Sequence, residues 1–252
     1  MNEILATIAW LADPAHWQGS DGIPIRLLQH LVICLAALVV AAVIALPIGL
    51  WTGHTGRGGQ LAVSAANVGR AVPSYAVLVM VLPISLSLSP AYGLDVIPTF
   101  VAMTLLAIPA ILVNAYAGLR EVDRDLVEAA RGVGMRERQV LTRVELPLAL
   151  PVILGGLRTA SVQVIATATL GAVVAYGGFG RYIVDGIARN EDDRLLAGVV
   201  LVAGLAISTE LVFEWLQRRM SPPGGRDASP AAPGGVASDE LELALPSTPA
   251  AG

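Results

Sequence analysis

The sequence contains no lysine: all sixteen of its basic residues are arginine. A Walker-type phosphate loop needs a lysine to reach the β and γ phosphates, and Schiff-base chemistry needs one as nucleophile. Both routes are closed to this chain. Cysteine is almost as scarce. A lone Cys34 inside an apolar run forms neither an intrachain disulfide nor a cysteine metal site, and reads as a small buried hydrophobe. The three histidines, His16, His30 and His54, are scattered without metal-ligand spacing. Aromatics make up 5% and charged residues 14%. What fills the sequence instead is hydrophobic, 55% by count, with a mean hydropathy of +0.68 that few water-soluble domains reach.

That apolar content is gathered into long runs. A membrane-crossing helix takes about 20 apolar residues, because the hydrocarbon core is about 30 Å thick and each residue rises 1.5 Å. Five runs qualify, at 27–51, 61–86, 94–118, 148–175 and 195–216. Barrel strands would be only about 9 to 11 residues long, so the reading is all-α integral membrane with five transmembrane helices. Met1–Trp10 carries Glu3 and no basic residue, unlike the basic start of a signal peptide.

Orientation follows from the arginines, which collect on the cytoplasmic side of membrane proteins. The third connection carries Arg120, Arg124, Arg131, Arg136, Arg138 and Arg143, and the last span is followed by Arg218 and Arg219. The segment before the first span and the 87–93 connection are nearly free of them. The N-terminus is expected outside and the C-terminus in the cytoplasm. The expected division is an extracytoplasmic leader over 1–24, a transmembrane region over 25–217 and a disordered cytoplasmic tail over 218–252. From Ser221 the tail is rich in Pro, Gly, Ser and Ala and has little apolar surface to bury. Ile4, Leu5, Ile8 and Leu11 give the leader a mildly amphipathic face, suited to a membrane interface or to a frayed end.

The third connection, residues 119–146, is too long for a simple link between neighbouring helices. Asp123 or Asp125 can cap a helix, Leu126, Ala130 and Val133 recur along one side, and Gly134 offers a left-handed stop. A second short helix is expected from Arg136 to about Val144, before Pro147 opens the next span. On pattern alone, this unit could dock a partner, lie on the inner membrane face or pack on its own bundle.

Glu128, Ala129 and Ala130, then Gly134, Val144, Leu146 and Pro147, reproduce the spacing EAA-x3-G-x9-I-x-L-P with valine for isoleucine. The chain thereby resembles the permease subunits of ABC importers. Three further segments, 69–78, 146–160 and 166–187, are similar to permeases for osmoprotectants such as glycine betaine, choline, carnitine or proline betaine. Methionine and other amino-acid importer permeases share the glycine-rich loop near Gly177 and are the nearest alternative. The resemblance implies the type I ABC importer permease fold. It also implies a separate ATPase docked on Glu128, Ala129, Ala130 and Gly134, with Leu126 and Val133 beside them. ATP and magnesium would be held by that partner, so no cofactor or metal is expected in this chain, and neither is catalysis. A second permease copy or paralogue and an extracytoplasmic substrate-binding protein are the other expected partners, with membrane lipid and no nucleic acid.

A solute path needs polar groups among the spans, where they are costly and tend to face a cavity or another helix. Ala160, Gln163, Thr167 and Gly171 share a helical face, and Ser74, Tyr75 and Asn114 stand in other spans. Ser74, Tyr75, Asn114, Gln163 and Thr167 are the candidate lining. Arg70 and Arg158 read either as a gate element or pathway charge or, in preference, as residues that snorkel to the membrane surface. Glu210 and Glu214 are the acids inside the last span, and Glu214 can pair with Arg218 four residues on. An ion-coupled secondary transporter would need more intramembrane carboxylates or broken helices than these runs offer.

Overall fold

The computed structural model describes residues 2–220, and among them every regular element is helical. Helix α1 (Asn2–Ala12) runs to a 3-10 turn at Pro14–Trp17, where the Asp13 carboxylate accepts from Ala15 N at 2.9 Å. Ile4, Leu5 and Ile8 remain exposed, whereas Trp10 and Leu11 turn inward against Ile23, Phe179, Tyr182 and Val202.

Helix α2 (Ile23–Thr55) spans 33 residues and stops at Gly56, whose φ is +70°. Its buried side is a seam of small residues, Cys34, Ala37, Ala41, Ala45, Gly49 and Gly53, at helical spacing. Small residues let backbones approach closely where lipid supplies no hydrophobic drive between helices. Helix α5 (Val96–Arg120) fills that seam: a Cβ on Gly49 would stand 2.7 Å from Ala115 Cβ and 2.9 Å from Leu112 O. The opposite side of α2 presents Leu28, Leu35, Val39 and Val43 outward, as a lipid-facing surface requires.

The second expected span is broken in two. Helices α3 (Gly59–Ala71) and α4 (Ser74–Leu88) meet at 86°. Pro73 has no N–H to continue the ladder and forces the residue before it out of the helical region; Val72 sits at φ −78°, ψ 121°. The third span, α5, is the central post of the bundle. Its Ala102, Met103, Ala107, Ala110 and Ile111 meet Ala37, Ala41 and Ala45 of α2, Leu78 of α4 and Ala160 and Val164 of the next span.

That fourth span departs from the reading twice. The short helix expected over 136–144 is not separate: α7 (Glu137–Val140) passes through a π-helical segment (Leu141–Glu145) straight into α8 (Leu146–Thr167). At the other end, the α-helix stops at Thr167 and tightens to a 3-10 helix over Ala168–Val174. Gly171 is wedged there against Thr99 of α5, and buried His30 of α2 bonds Ile165 O at 3.0 Å. The glycine-rich turn that follows is laced to α2. Gln29 Oε1 accepts from Gly178 N at 3.0 Å, and the Tyr176 hydroxyl donates to Gln29 O at 2.9 Å. Burial pushes that phenol up to about 12, so it stays a donor.

The fourth connection also holds a helix that was not anticipated, α9 (Gly180–Arg189), stopped by Asn190 at φ +57°. Helix α10 (Asp192–Met220) closes the bundle and carries Arg218 and Arg219 within it, past the point where the tail was expected to start. The remainder of that tail lies outside the described residues. Four helical runs are long and apolar enough to cross a membrane (α2, α5, α7–α8 and α10), or five if the broken α3–α4 pair counts as one.

Candidate functional site

The unit between α5 and α8 is built from local signals. Asp123 caps helix α6 (Arg124–Gly132) by accepting from Asp125 N at 2.9 Å. The helix closes in a Schellman motif: Met135 N donates to Ala130 O at 3.2 Å and Gly134 N to Arg131 O at 2.9 Å, with Gly134 at φ +85°. The Met135 side chain then packs on Val127, Ala130 and Val140, the hydrophobic contact that accompanies such a stop. Gln139 Oε1 accepts from Arg136 N at 2.8 Å and secures the start of α7.

The single stripe anticipated along α6 divides into two. Val127 (9% exposed) and Ala130 (8%) face Val140 and form a small core of their own with Val122, Met135 and Val144. Leu126 (51%) and Val133 (82%) point away, in line with exposed Ala129 at i, i+3 and i+7. Ala130 therefore belongs to the inward face and not beside Leu126 and Val133. The two faces are one residue out of phase, which composition cannot reveal when both carry Val, Leu and Ala. Glu128 and Gly134 are exposed beside the outward face.

Beneath α6 lies a polar link that the sequence reading missed. The π segment turns Glu145 into the protein, where it is 5% exposed. Its Oε2 meets His54 Nδ1, from the last turn of α2, at 2.5 Å. The other ring nitrogen, Nε2, lies 3.3 Å from Glu137 Oε2. Glu137 in turn receives two bonds from Arg131 of α6, Nε at 3.0 Å and Nη2 at 2.9 Å. Those bonds, chiefly, raise the guanidinium above its usual range, so Arg131 stays charged. A buried carboxylate left without its partner costs about 3–5 kcal/mol, so Glu145 and His54 hold one another in place. A cavity of about 90 Å³ opens beside the pair, lined by Arg120, Arg124 and Glu128 among others. The one hint in the sequence was a glutamate flanked by Val144 and Leu146; its partner is 91 positions away.

The candidate path residues stand on three helices. Ser74 and Tyr75 open α4, with Tyr75 exposed. Asn114 lies on α5 against Gly156 of α8 and donates to Ala110 O of its own helix at 2.8 Å. On α8, Ala160 is buried, Thr167 is half-buried and Gln163 is exposed, and Gly171, in the 3-10 helix that follows, is buried. Ala160, Gln163 and Thr167 keep their i, i+3 and i+7 spacing within the α-helix, whereas Gly171 falls in the 3-10 segment after it and leaves that register. Arg158 does not simply snorkel. It bonds Glu210 of α10, and Nη1 donates to Gln217 Oε1 at 3.2 Å. Glu214 pairs with Arg218 as its spacing suggested.

Residues 45–222 match the family model described as the binding-protein-dependent transport system inner membrane component. The chain belongs to this family. It is accordingly a multi-pass membrane protein of a transport system. Among similar members are the carnitine transport permease protein OpuCB of Listeria monocytogenes, 32% identical over 79% of this chain and 88% of that protein, and the choline transport system permease protein OpuBB of Bacillus subtilis, 32% identical over 78% and 87%. The osmoprotectant import permease protein OsmY of Salmonella typhimurium is 32% identical over 77% and 80%. In fold, this family member resembles a chain of the MetNI methionine ABC transporter in an inward-facing conformation, with a TM-score of 0.71 at 20% identity over 84% of this chain and all of that one. A chain of an amino acid ABC transporter crystallised with histidines superposes at a TM-score of 0.58 and 20% identity, over 77% and 89%. The fold of the family member is thus that of an ABC importer permease.

Proposed function

We propose that the chain is the membrane-spanning subunit of an ATP-driven bacterial importer for small quaternary-ammonium osmoprotectants, of the class of glycine betaine, choline and carnitine. Relatives named for those solutes, 31–33% identical over 77–79% of the chain, carry the reading. The likeness to the methionine transporter, at 20–21% identity, is one of fold alone.

In this reading the chain lies in the plasma membrane with α6 on the cytoplasmic side and α1 outside, following its arginines. The outward face of α6, with Leu126, Ala129, Val133 and Glu128, docks a separate ATPase that holds ATP and magnesium. Gly134 shapes the turn beside it, and Ala130 fixes α6 to the bundle from beneath. A second permease, identical or paralogous, and an external binding protein complete the assembly. Ser74, Tyr75, Asn114, Gln163 and Thr167 contribute the polar lining of the path. Calorimetry on the cognate binding protein tests the solute: glycine betaine, choline or carnitine should bind and methionine should not. Binding of methionine alone would assign the importer to the amino-acid class.

A further inference from the structure

Helix α6 joins the spans covalently through α5 on one side and α7–α8 on the other. Helix α2 has no such connection to it, yet its last turn carries His54 into the base of the docking unit. Gly56 and Gly58, at φ +70° and +69°, end α2 immediately beyond, so its rigid part stops at this contact. Each ring nitrogen of His54 faces a carboxylate, Glu145 at 2.5 Å and Glu137 at 3.3 Å, and Glu137 is clasped by two bonds from Arg131 of α6. The π segment places Glu145 there: an extra residue per turn re-aims the side chains that follow, a device frequent at functional sites.

We infer that His54 is a positioning residue of the transport cycle, a clamp that makes displacement of α6 move α2 as well as α8. The inference rests on α6 being the helix that docks the ATPase. Arg131 holds the outer end of the chain, Glu137 and His54 carry it inward, and buried Glu145 anchors it in the α7–α8 run. A purely packed contact would let α6 tilt while α2 stayed; a line of polar side-chain contacts joining α6, α7–α8 and α2 opposes that.

The test is made on the complete transporter in liposomes, reading solute uptake per ATP hydrolysed together with ATPase retained on purification. His54→Asn keeps a donor where Nδ1 stands, so Glu145 keeps a partner, but leaves nothing at the place of Nε2 for Glu137. Glu137→Gln weakens the same link from the exposed side. Both should hold the ATPase normally and lower uptake per ATP by roughly three- to tenfold, the range over which coupling networks respond to single changes. Combining them should cost no more than either alone, because they cut one line. An unchanged ratio in both single variants overturns the clamp while leaving the docking assignment intact. A wild-type chain that retains no ATPase overturns both.

Discussion

Gly134 shows how far one residue determines the docking unit. Its φ of +85° is unfavourable for any residue with a Cβ, by about 1–2 kcal/mol, yet a Cβ there would meet nothing within 4 Å. The demand for glycine is therefore one of backbone and not of packing, and substitution should leave the bundle intact. Gly134→Asp adds that strain and a negative charge beside the outward face of α6. The variant should reach the membrane at normal levels but lose its ATPase on purification and take up no solute. A normal yield of ATPase would contradict the role given to this turn. Gly134 was legible in the sequence, because a helix stop is a local feature. The contact of His54 with Glu145 was not, since it depends on α2 and the π segment meeting across 91 positions.

At the scale of helices, the bundle is held by close approach along seams of small residues. Gly49 of α2 and Gly156 of α8 both press on α5: added Cβ atoms would stand 2.9 Å from Leu112 O and 3.0 Å from Ala110 O, neither of which can swing aside. Gly49→Ala and Gly156→Ala should each destabilise the protein by about 1–3 kcal/mol, read as a lower thermal midpoint in detergent. Gly204→Ala on α10, where nothing lies within 4 Å, is the control and should be neutral or slightly stabilising. The same scale shows what periodicity reveals. Runs of 20 or more apolar residues located the four helical runs long enough to cross a membrane, and a fifth run that folds as a broken pair, because length alone separates them from strands. Phase was lost wherever the helix left 3.6 residues per turn, at the π segment before α8 and the 3-10 turn after it. For that reason Gly171 left the register it was expected to share with Ala160, Gln163 and Thr167. Helix α9 went unnoticed because Asp185 and Arg181 dilute its apolar positions, although their side chains pair at 2.8 Å in the fold.

For the whole molecule, the absence of lysine remains the starting constraint: it leaves no Walker-type phosphate loop in this subunit, and the proposed function assigns ATP hydrolysis to another chain. In that proposal the work enters at α6, and the proposed His54 link extends its reach from α8 to α2. Reconstitution with the cognate ATPase and binding protein tests this most directly. Liposomes are prepared with ATP and magnesium on the α6 side and binding protein with labelled glycine betaine on the α1 side. Accumulation that requires ATP, and that Leu126→Asp abolishes without removing the permease from the membrane, is the predicted result. Uptake that proceeds without ATP on an ion gradient, or that Leu126→Asp leaves unchanged, would contradict the account.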